Sequence, residues 1–107
     1  MFVILWEYEV KTGSAESFER VYGPQGPWVE LFGRDPRYLS TQLLRHPSRS
    51  SWYFTLDFWD SETAYQDVKR AYRAAYNSID VETAGLTITE RHISSFEMRP
   101  GASLAAS

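Results

Sequence analysis

The sequence contains no cysteine, so disulfide bonds, thiolate chemistry and cysteine-based zinc or iron–sulfur sites are excluded. Histidine is also scarce: His46 and His92 are isolated along the chain, and neither has a second ligand at metal-binding spacing. There is no glycine-rich phosphate loop and no nucleophile elbow. We therefore expect neither a bound metal nor an organic cofactor.

Positive charge and long apolar runs are missing as well. The formal net charge is -3 and the Lys and Arg residues are dispersed, which leaves no basic patch for nucleic acid. The apolar start of the chain is interrupted by Glu7 and Glu9, far short of the about 20 apolar residues that cross a membrane. The sequence therefore predicts a cytoplasmic protein with neither nucleic acid nor membrane as a partner.

Aromatic residues, in contrast, are abundant: they form 16% of the 107 residues and include four Trp and seven Tyr. Aromatic side chains are favoured in ligand pockets and interfaces as well as in cores, because they bury a large area with few rotamers to fix. The length corresponds to one domain, which we place at residues 1–98. The small, polar tail of residues 99–107 is predicted to be disordered.

The residue pattern predicts the order strand, helix, strand, strand, helix, strand. Apolar and β-branched alternation marks the strands, and apolar residues at three- and four-residue spacing mark the helices, with Ser14, Asp60 and Ser61 as capping residues. The predicted strands cover residues 2–10, 38–45, 51–59 and 90–98. The predicted helices are one that ends near Gly23, a short turn over 28–32, one long helix from 62 through Ile79, and a turn over 80–85.

This order is the split βαβ arrangement of the ferredoxin-like α+β folds, in which a four-stranded antiparallel sheet carries helices on one face. The other face would expose a large apolar patch in a single chain. We therefore expect a homodimer that packs two such sheets face to face.

Three segments together resemble the antibiotic biosynthesis monooxygenase domain, which has a dimeric α/β-barrel architecture: "MFVILWEYEVKTGSAESFERVYG", "YLSTQLLRH" and "YFTLDFWDSETAYQDVKRAY". The resemblance covers roughly residues 2–98. It implies that the protein is a cofactor-independent monooxygenase for a small aromatic compound of the phenol or quinol type, since such substrates supply their own electrons to oxygen. A non-catalytic homodimer, ligand-binding or structural, is the alternative.

Haem degradation, a third activity among similar proteins, is disfavoured. The haem-degrading relatives carry an Asn in the first strand and a His on the helix after a strand-ending Trp. Here the first strand has no Asn and residues 61–76 contain no His, so Trp59 is the one matching position.

Trp59 is either core filling or the wall of a ligand site. The resemblance implies that it would hold a flat ligand and orient a substrate oxygen through its indole N–H. Trp6, Tyr8 and Asp57 share its face if the first and third strands are neighbours. Whether the rings enclose a cavity or simply interdigitate stays open. The predicted substrate-binding residues are Trp6, Tyr8, Tyr22, Trp28, Tyr65 and Tyr72.

Asp57 lies in the middle of an apolar strand, where an ionised carboxylate is costly unless it has a partner. It pairs with Arg91 or His92 on the last strand, or it is a general base with a pKa raised by burial, or it lies at a rim in contact with water. Arg91 contacts a ligand oxygen or forms an ion pair with Glu7 or Glu9. The predicted catalytic residues are Trp59, Asp57 and Arg91.

Overall fold

The computed structural model describes residues 1–101 and has the predicted α+β architecture. Residues 102–107, most of the predicted disordered tail, lie outside the described residues. The strands are Phe2–Val10 (β1), Tyr38–Arg45 (β2), Trp52–Trp59 (β3) and Thr87–Glu97 (β4). The helices are Ala15–Tyr22 (α1), Pro27–Phe32 (α2), Glu62–Ala71 (α3) and Arg73–Thr83 (α4), followed by a 3-10 turn at Ala84–Leu86.

The four strands form one antiparallel sheet in the order β2-β3-β1-β4. Directly opposed residues of antiparallel strands point to the same face of the sheet. The register of β1 on β3 places Trp6 opposite Thr55 and Tyr8 opposite Tyr53. The prediction that Trp6, Tyr8, Asp57 and Trp59 share one face is therefore confirmed, and this face packs against the helices.

Local sequence signals explain where the helices begin. Gly13 has a φ of 84°, a left-handed conformation that glycine adopts without strain in the turn before α1. The Ser61 side chain accepts a hydrogen bond from the Ala64 backbone N–H at 3.1 Å and so caps α3, as predicted. Ser14 occupies the cap position of α1, but its side chain makes no capping hydrogen bond.

The start of α2 requires a glycine at position 26. A Cβ atom on Gly26 would lie 2.0 Å from the Val21 carbonyl oxygen, closer than any real contact. The chain can therefore turn back from α1 into α2 only with a residue that has no side chain here. This turn brings Trp28 and Phe32 onto the sheet, where both are buried.

The prediction of one long helix over residues 62–79 is wrong. The backbone leaves helical geometry at Tyr72, with φ -115° and ψ 33°, so that one residue ends α3 and begins α4. No proline or glycine marks the break. The Tyr72 N–H still bonds to the Val68 carbonyl, and the Tyr76 N–H bonds to the Tyr72 carbonyl, so the apolar spacing continues across the break.

The connected core cluster lies on the helix side of the sheet, and Phe18 and Trp59 at its centre have no exposed surface. Val3, on the other side of the sheet, is buried as well. The opposite side, which we call the open face, carries apolar residues that stay half-buried or exposed: Leu5, Leu44, Trp52, Phe54, Leu56, Phe58 and Phe96. The predicted apolar face is therefore present. Separately, no helix within residues 1–101 is long and apolar enough to cross a membrane.

Candidate functional site

A small cavity of about 30 Å³ lies between the helix side of the sheet and the helices. A space of this size holds about two water molecules. Every strand and every helix contributes to its lining. Its aromatic walls are Trp6, Tyr8, Tyr22, Trp28, Tyr65 and Tyr76.

Asp57 on β3 borders the cavity and is only 8% exposed. Burial raises the pKa of its carboxyl group from 3.8 to about 6, and the hydrogen bond from Thr41 opposes part of this effect. Neither Arg91 nor His92 is its partner, so that prediction is wrong. The prediction of a rim carboxylate is wrong as well, because the group is enclosed. The raised pKa is what the general-base interpretation of Asp57 requires.

The partner of Asp57 is a hydroxyl on the neighbouring strand. Thr41 lies opposite Asp57 in the register of β2 on β3, and its Oγ1 donates to Oδ1 of the carboxylate at 2.7 Å. Because the single Thr41 proton is used in that bond, Thr41 must accept from the Tyr38 hydroxyl, 2.6 Å away. The series of hydrogen bonds from Tyr38 through Thr41 to Asp57 fixes the orientation of the carboxylate. Within the described residues its hydrogen bonds use only Oδ1, which leaves Oδ2 for a ligand.

The tyrosines around the cavity remain protonated. Burial is the main reason that the pKa values of Tyr8, Tyr22, Tyr65 and Tyr76 are raised above 10, and neighbouring tyrosines, for Tyr8 and Tyr65, and nearby carboxylates add to it. Tyr8 bonds to Thr55 through its hydroxyl at 3.0 Å. These phenols therefore act as hydrogen-bond donors, and Asp57 is the candidate proton acceptor.

A second carboxyl group, on Glu90 of β4, lies at the exposed rim of the cavity. Partial burial, and next the charge of Asp80, raise its pKa above the ordinary value. Asp57 and Glu90 are the only charged side chains that line the cavity among residues 1–101. The local charge is therefore negative.

Two of the residues that line the cavity each have a polar atom without a partner. The hydroxyl of Tyr22 and the indole Nε1 of Trp28 are buried, and within the described residues neither makes a hydrogen bond. The Thr83 hydroxyl and, next, the Trp28 indole lie close enough to the Tyr22 hydroxyl to oppose part of the rise in the Tyr22 pKa that burial causes, but neither is in hydrogen-bonding geometry with it.

Trp59 lies outside this site. Its indole has no exposed surface, does not line the cavity, and packs edge-on against the rings of Phe32, Tyr38 and Tyr65 at centroid distances of 5.3, 5.1 and 5.5 Å. The structure therefore favours a core-filling role for Trp59 over the predicted role as the wall of a ligand site.

We expect Trp59→Phe to lower the free energy of unfolding by about 1–2 kcal/mol, because the smaller ring leaves a void among its neighbours. The Nε1 atom has no hydrogen-bond partner within the described residues, so no polar contact is lost. Urea unfolding followed by circular dichroism measures the effect. Unchanged stability would contradict the core assignment.

Arg91, predicted as catalytic, points away from the cavity. It lies opposite Glu7 on the open face, and its guanidinium donates to Glu7 Oε1 at 3.0 Å. The cause is a bulge in β4. Ser94 pairs with Leu5 and His92 with Trp6, so one residue of β4 has no partner on β1. On the two sides of the bulge, simple alternation along β4 therefore assigns residues to opposite faces of the sheet. Of the two roles predicted for Arg91, a contact with a ligand oxygen or an ion pair with Glu7 or Glu9, the ion pair with Glu7 is the one observed.

Of the six predicted substrate-binding residues, only Tyr72 does not line the cavity. Its ring lies under the Arg34 guanidinium at 5.3 Å, where α3 ends. Tyr76, one helical turn later, takes the position at the cavity, and its spacing from Tyr72 is the signal that could have found it. Glu90 was missed because the bulge moves it to the face of Tyr8.

A surface groove of about 260 Å³ adjoins the cavity between α3 and the edge of the sheet. Trp6 and Tyr65 line both spaces. Trp6 is half-buried, and its ring is tilted by 49° against that of His92 at a centroid distance of 5.3 Å. Lys69 lies 5.3 Å from the Tyr65 ring centroid. Movement of the Trp6 or Tyr65 side chain would join the groove to the cavity.

Neither a family model nor a curated protein matches the sequence. Solved structures do match. A protein from Caulobacter crescentus CB15, named as an antibiotic biosynthesis monooxygenase, superposes with TM-score 0.75 at 14% identity, covering 92% of this chain and 90% of its own. One of the same name from Nitrosomonas europaea gives TM-score 0.70 at 14% identity over 92% and 98%.

A third solved structure is SnoaB, a cofactor-independent oxygenase from Streptomyces nogalater, which superposes with TM-score 0.70 at 20% identity and covers 94% of each chain. The chain therefore has the ferredoxin-like α+β fold. More particularly, its fold is that of the antibiotic biosynthesis monooxygenases, as the sequence resemblance implied.

Proposed function

We propose that this protein is a cofactor-independent monooxygenase that oxidises a small phenol- or quinol-type compound, with Asp57 as the general base. The observation that carries the proposal is a buried carboxyl group with a pKa of about 6 at an aromatic-walled cavity. A base with a pKa near the working pH is the group that general-base catalysis requires. The likeness in fold to a protein named as a cofactor-independent oxygenase supports it.

The proposed reaction needs only substrate and dioxygen. Asp57 removes a proton from an activated hydroxyl or from a CH₂ group between aromatic rings, and the resulting anion gives its electrons to dioxygen. For such a CH₂ group the balance is R₂CH₂ + O₂ → R₂C=O + H₂O: one oxygen atom enters the product and the other leaves as water. The protein excludes bulk water, holds the ring and stabilises the anion with its phenol and indole donors.

Substrate binding requires the cavity to enlarge, because pockets for drug-sized ligands measure about 300–1,000 Å³. The adjoining groove supplies that space once Trp6 or Tyr65 moves aside. In this proposal the reactive ring reaches Asp57, the rest of the substrate lies in the groove, and the aromatic walls hold the ring faces.

The direct test is dioxygen consumption with anthrone, naphthols and naphthalene diols in the presence of a metal chelator. We expect enzyme-dependent uptake of one dioxygen per product formed, above the spontaneous oxidation of each compound. A panel in which no compound is oxidised faster than in protein-free buffer would rule out the monooxygenase proposal for these substrate classes.

A non-catalytic ligand-binding protein is the second candidate, because the cavity holds only about 30 Å³ in the present conformation. Calorimetric binding of panel compounds without dioxygen uptake would favour this function over the first. Failure of every compound to bind would instead favour a purely structural role for the aromatic cluster.

We also propose that the occupant of the open face is a second copy of this chain. Leu5 and Leu56 lie opposite each other on the two central strands, in the middle of the apolar area. The Glu7–Arg91 ion pair on the same face brings charges of both signs, which a copy related by a two-fold axis can match. Packing two such sheets about 10 Å apart would bury the exposed apolar side chains.

A further inference from the structure

We infer that Tyr22 and Trp28 are a hydrogen-bond donor pair for an acceptor oxygen of the ligand. Together with Asp57 they make the cavity selective for an uncharged aromatic compound that carries both a hydroxyl and a carbonyl-type oxygen. The inference rests on the proposed function, since it names the substrate class of the same cavity. It assigns Tyr22 and Trp28 a specificity role that aromatic wall packing alone would not give them.

The first step is that both donors are enclosed but unused. Tyr22 is 6% and Trp28 8% exposed, and neither the Tyr22 hydroxyl nor Trp28 Nε1 has a hydrogen-bond partner among residues 1–101. Buried polar groups in folded proteins nearly always have partners, because an unpaired one loses its hydration without compensation. Two such groups side by side at one cavity therefore indicate a binding function.

The second step is a comparison within the same protein. One further buried side chain in the described residues, Trp59, also has an unpaired Nε1 atom. It is enclosed by aromatic rings and does not line the cavity, whereas Tyr22 and Trp28 do. Trp59 thus serves as a matched control for an unpaired indole without access to a ligand.

The third step is the chemistry of the donors. An indole N–H can donate but never accept, and the phenol of Tyr22 keeps its proton because burial and the charge of Glu90 disfavour its ionised form. A ligand atom that binds to these two donors must therefore be an acceptor, such as a carbonyl oxygen. Asp57, which lines the same cavity, accepts a hydrogen bond from a ligand hydroxyl.

The fourth step concerns charge. Within residues 1–101 no Lys, Arg or His lines the cavity, while Asp57 and Glu90 do. Lys69 lies outside it, 5.3 Å from the ring centroids of Tyr65 and Tyr76. A ligand carboxylate inside the cavity would meet like charges without a compensating cation, so an uncharged ligand is preferred.

Three probes separate these features on one ring: para-hydroxyacetophenone has the hydroxyl and the carbonyl, para-ethylphenol lacks the carbonyl, and para-hydroxybenzoate replaces it with a carboxylate. We expect the acetophenone to bind about 10-fold more tightly than either of the others. Binding is measured by isothermal titration calorimetry without dioxygen, so that it is independent of turnover.

The variants Tyr22→Phe and Trp28→Phe remove the donors. Each should weaken binding of para-hydroxyacetophenone by about 5- to 10-fold and change para-ethylphenol binding by less than about 2-fold. The matched controls are Tyr53→Phe and Trp59→Phe, which lie outside the cavity lining and should leave the affinity for the acetophenone unchanged.

Stability gives a second readout. The Tyr53 hydroxyl donates to Glu19 Oε2 at 2.5 Å, so Tyr53→Phe should lower the urea midpoint of the free protein. Tyr22→Phe removes an unpaired hydroxyl and should keep or raise the midpoint. A Tyr22→Phe midpoint as low as that of Tyr53→Phe would show that the Tyr22 hydroxyl is already satisfied, for example by water, and would overturn the inference.

The two proposals fail in different ways. Equal binding of the acetophenone to Tyr22→Phe, Trp28→Phe and the native protein overturns the donor pair and leaves the monooxygenase proposal standing. Donor-dependent binding without dioxygen uptake by any phenol supports the donor pair and contradicts the monooxygenase. Absence of binding by all three probes contradicts the substrate class inferred here, while uptake with the anthrone panel would still support oxidation.

Discussion

Replacement of Asp57 by Asn should lower the rate of dioxygen uptake by about 10²- to 10⁴-fold, the usual contribution of a positioned general base. The amide can still accept the hydrogen bond from Thr41, so the site should keep its shape. Substrate binding should change much less than turnover, because the aromatic walls are untouched. Initial rates of dioxygen uptake, compared with calorimetric affinities, measure the two effects separately.

The same replacement should stabilise the protein at neutral pH. The folded-state pKa of Asp57, about 6, lies above the ordinary value of 3.8, so the fold disfavours the ionised carboxylate. The penalty is fully present above about pH 6 and disappears as the pH falls towards 3.8, because the folded state takes up the proton first. A shift of this size corresponds to roughly 3 kcal/mol, so Asp57→Asn should gain up to about that amount at pH 7.5 and almost nothing at pH 4.

The pH dependence of kcat/KM should show the same group. In the native protein kcat/KM should rise with pH through an apparent pKa near 6. This rising limb of the pH profile should be absent in Asp57→Asn. Thr41→Val should move the limb to higher pH, because the Thr41 hydrogen bond lowers the Asp57 pKa. Glu90 is the other charged residue that lines the cavity in the described part of the chain, so Glu90→Gln is the control, and it should leave the limb in place. Activity of Asp57→Asn equal to that of the native protein would falsify the general-base role.

The face that each β1 and β3 residue occupies could be predicted from the sequence, because side chains alternate along a strand and the fold makes these two strands neighbours. Trp6, Tyr8 and Asp57 therefore reach the helix side as predicted. The Asp57 partner could not be predicted in this way. Thr41 carries no charge to suggest a pairing, and its position opposite Asp57 depends on the register of β2 on β3.

The errors elsewhere have specific physical causes. Simple alternation along β4 puts Arg91 on the helix side with Ser95, but the bulge between Ser94 and His92 reverses the faces and brings Glu90 to the cavity instead. The one-residue break at Tyr72 could not be predicted, because helical spacing persists on both sides of it. Trp59 ends its strand beneath three aromatic rings, and only packing shows that they leave no space for a ligand.

Replacement of Leu56 by Asp should raise the dissociation constant of the proposed homodimer by about 10³-fold or more. Leu56 lies at the centre of the open face, opposite Leu5, so the two-fold axis would bring two carboxylates into one apolar interface. Each would lose its hydration without a partner, and the apolar contact of each leucine would be lost as well. Sedimentation velocity over a concentration series measures the shift from dimer to monomer.

Two further variants keep this test informative. Leu44→Asp changes a residue of the same face that is already 43% exposed in the single chain, so it should fold as the native protein does and still weaken the dimer. Val81→Asp makes the same chemical change on α4, where the side chain is 79% exposed and on the helix side. It should leave the dimer intact.

The outcome decides what covers the open face. If the native chain sediments as a monomer at micromolar concentration, the sheet-to-sheet dimer is refuted, and so is the explanation of why Phe54, Leu56 and Phe96 lie uncovered. If Leu56→Asp and Leu44→Asp both dissociate a dimer that Val81→Asp preserves, the interface is on this face. Because the cavity lies on the opposite side of the sheet, folded monomers should then keep the affinity for para-hydroxyacetophenone, whereas a loss of binding would show that the dimer stabilises the cavity through the sheet.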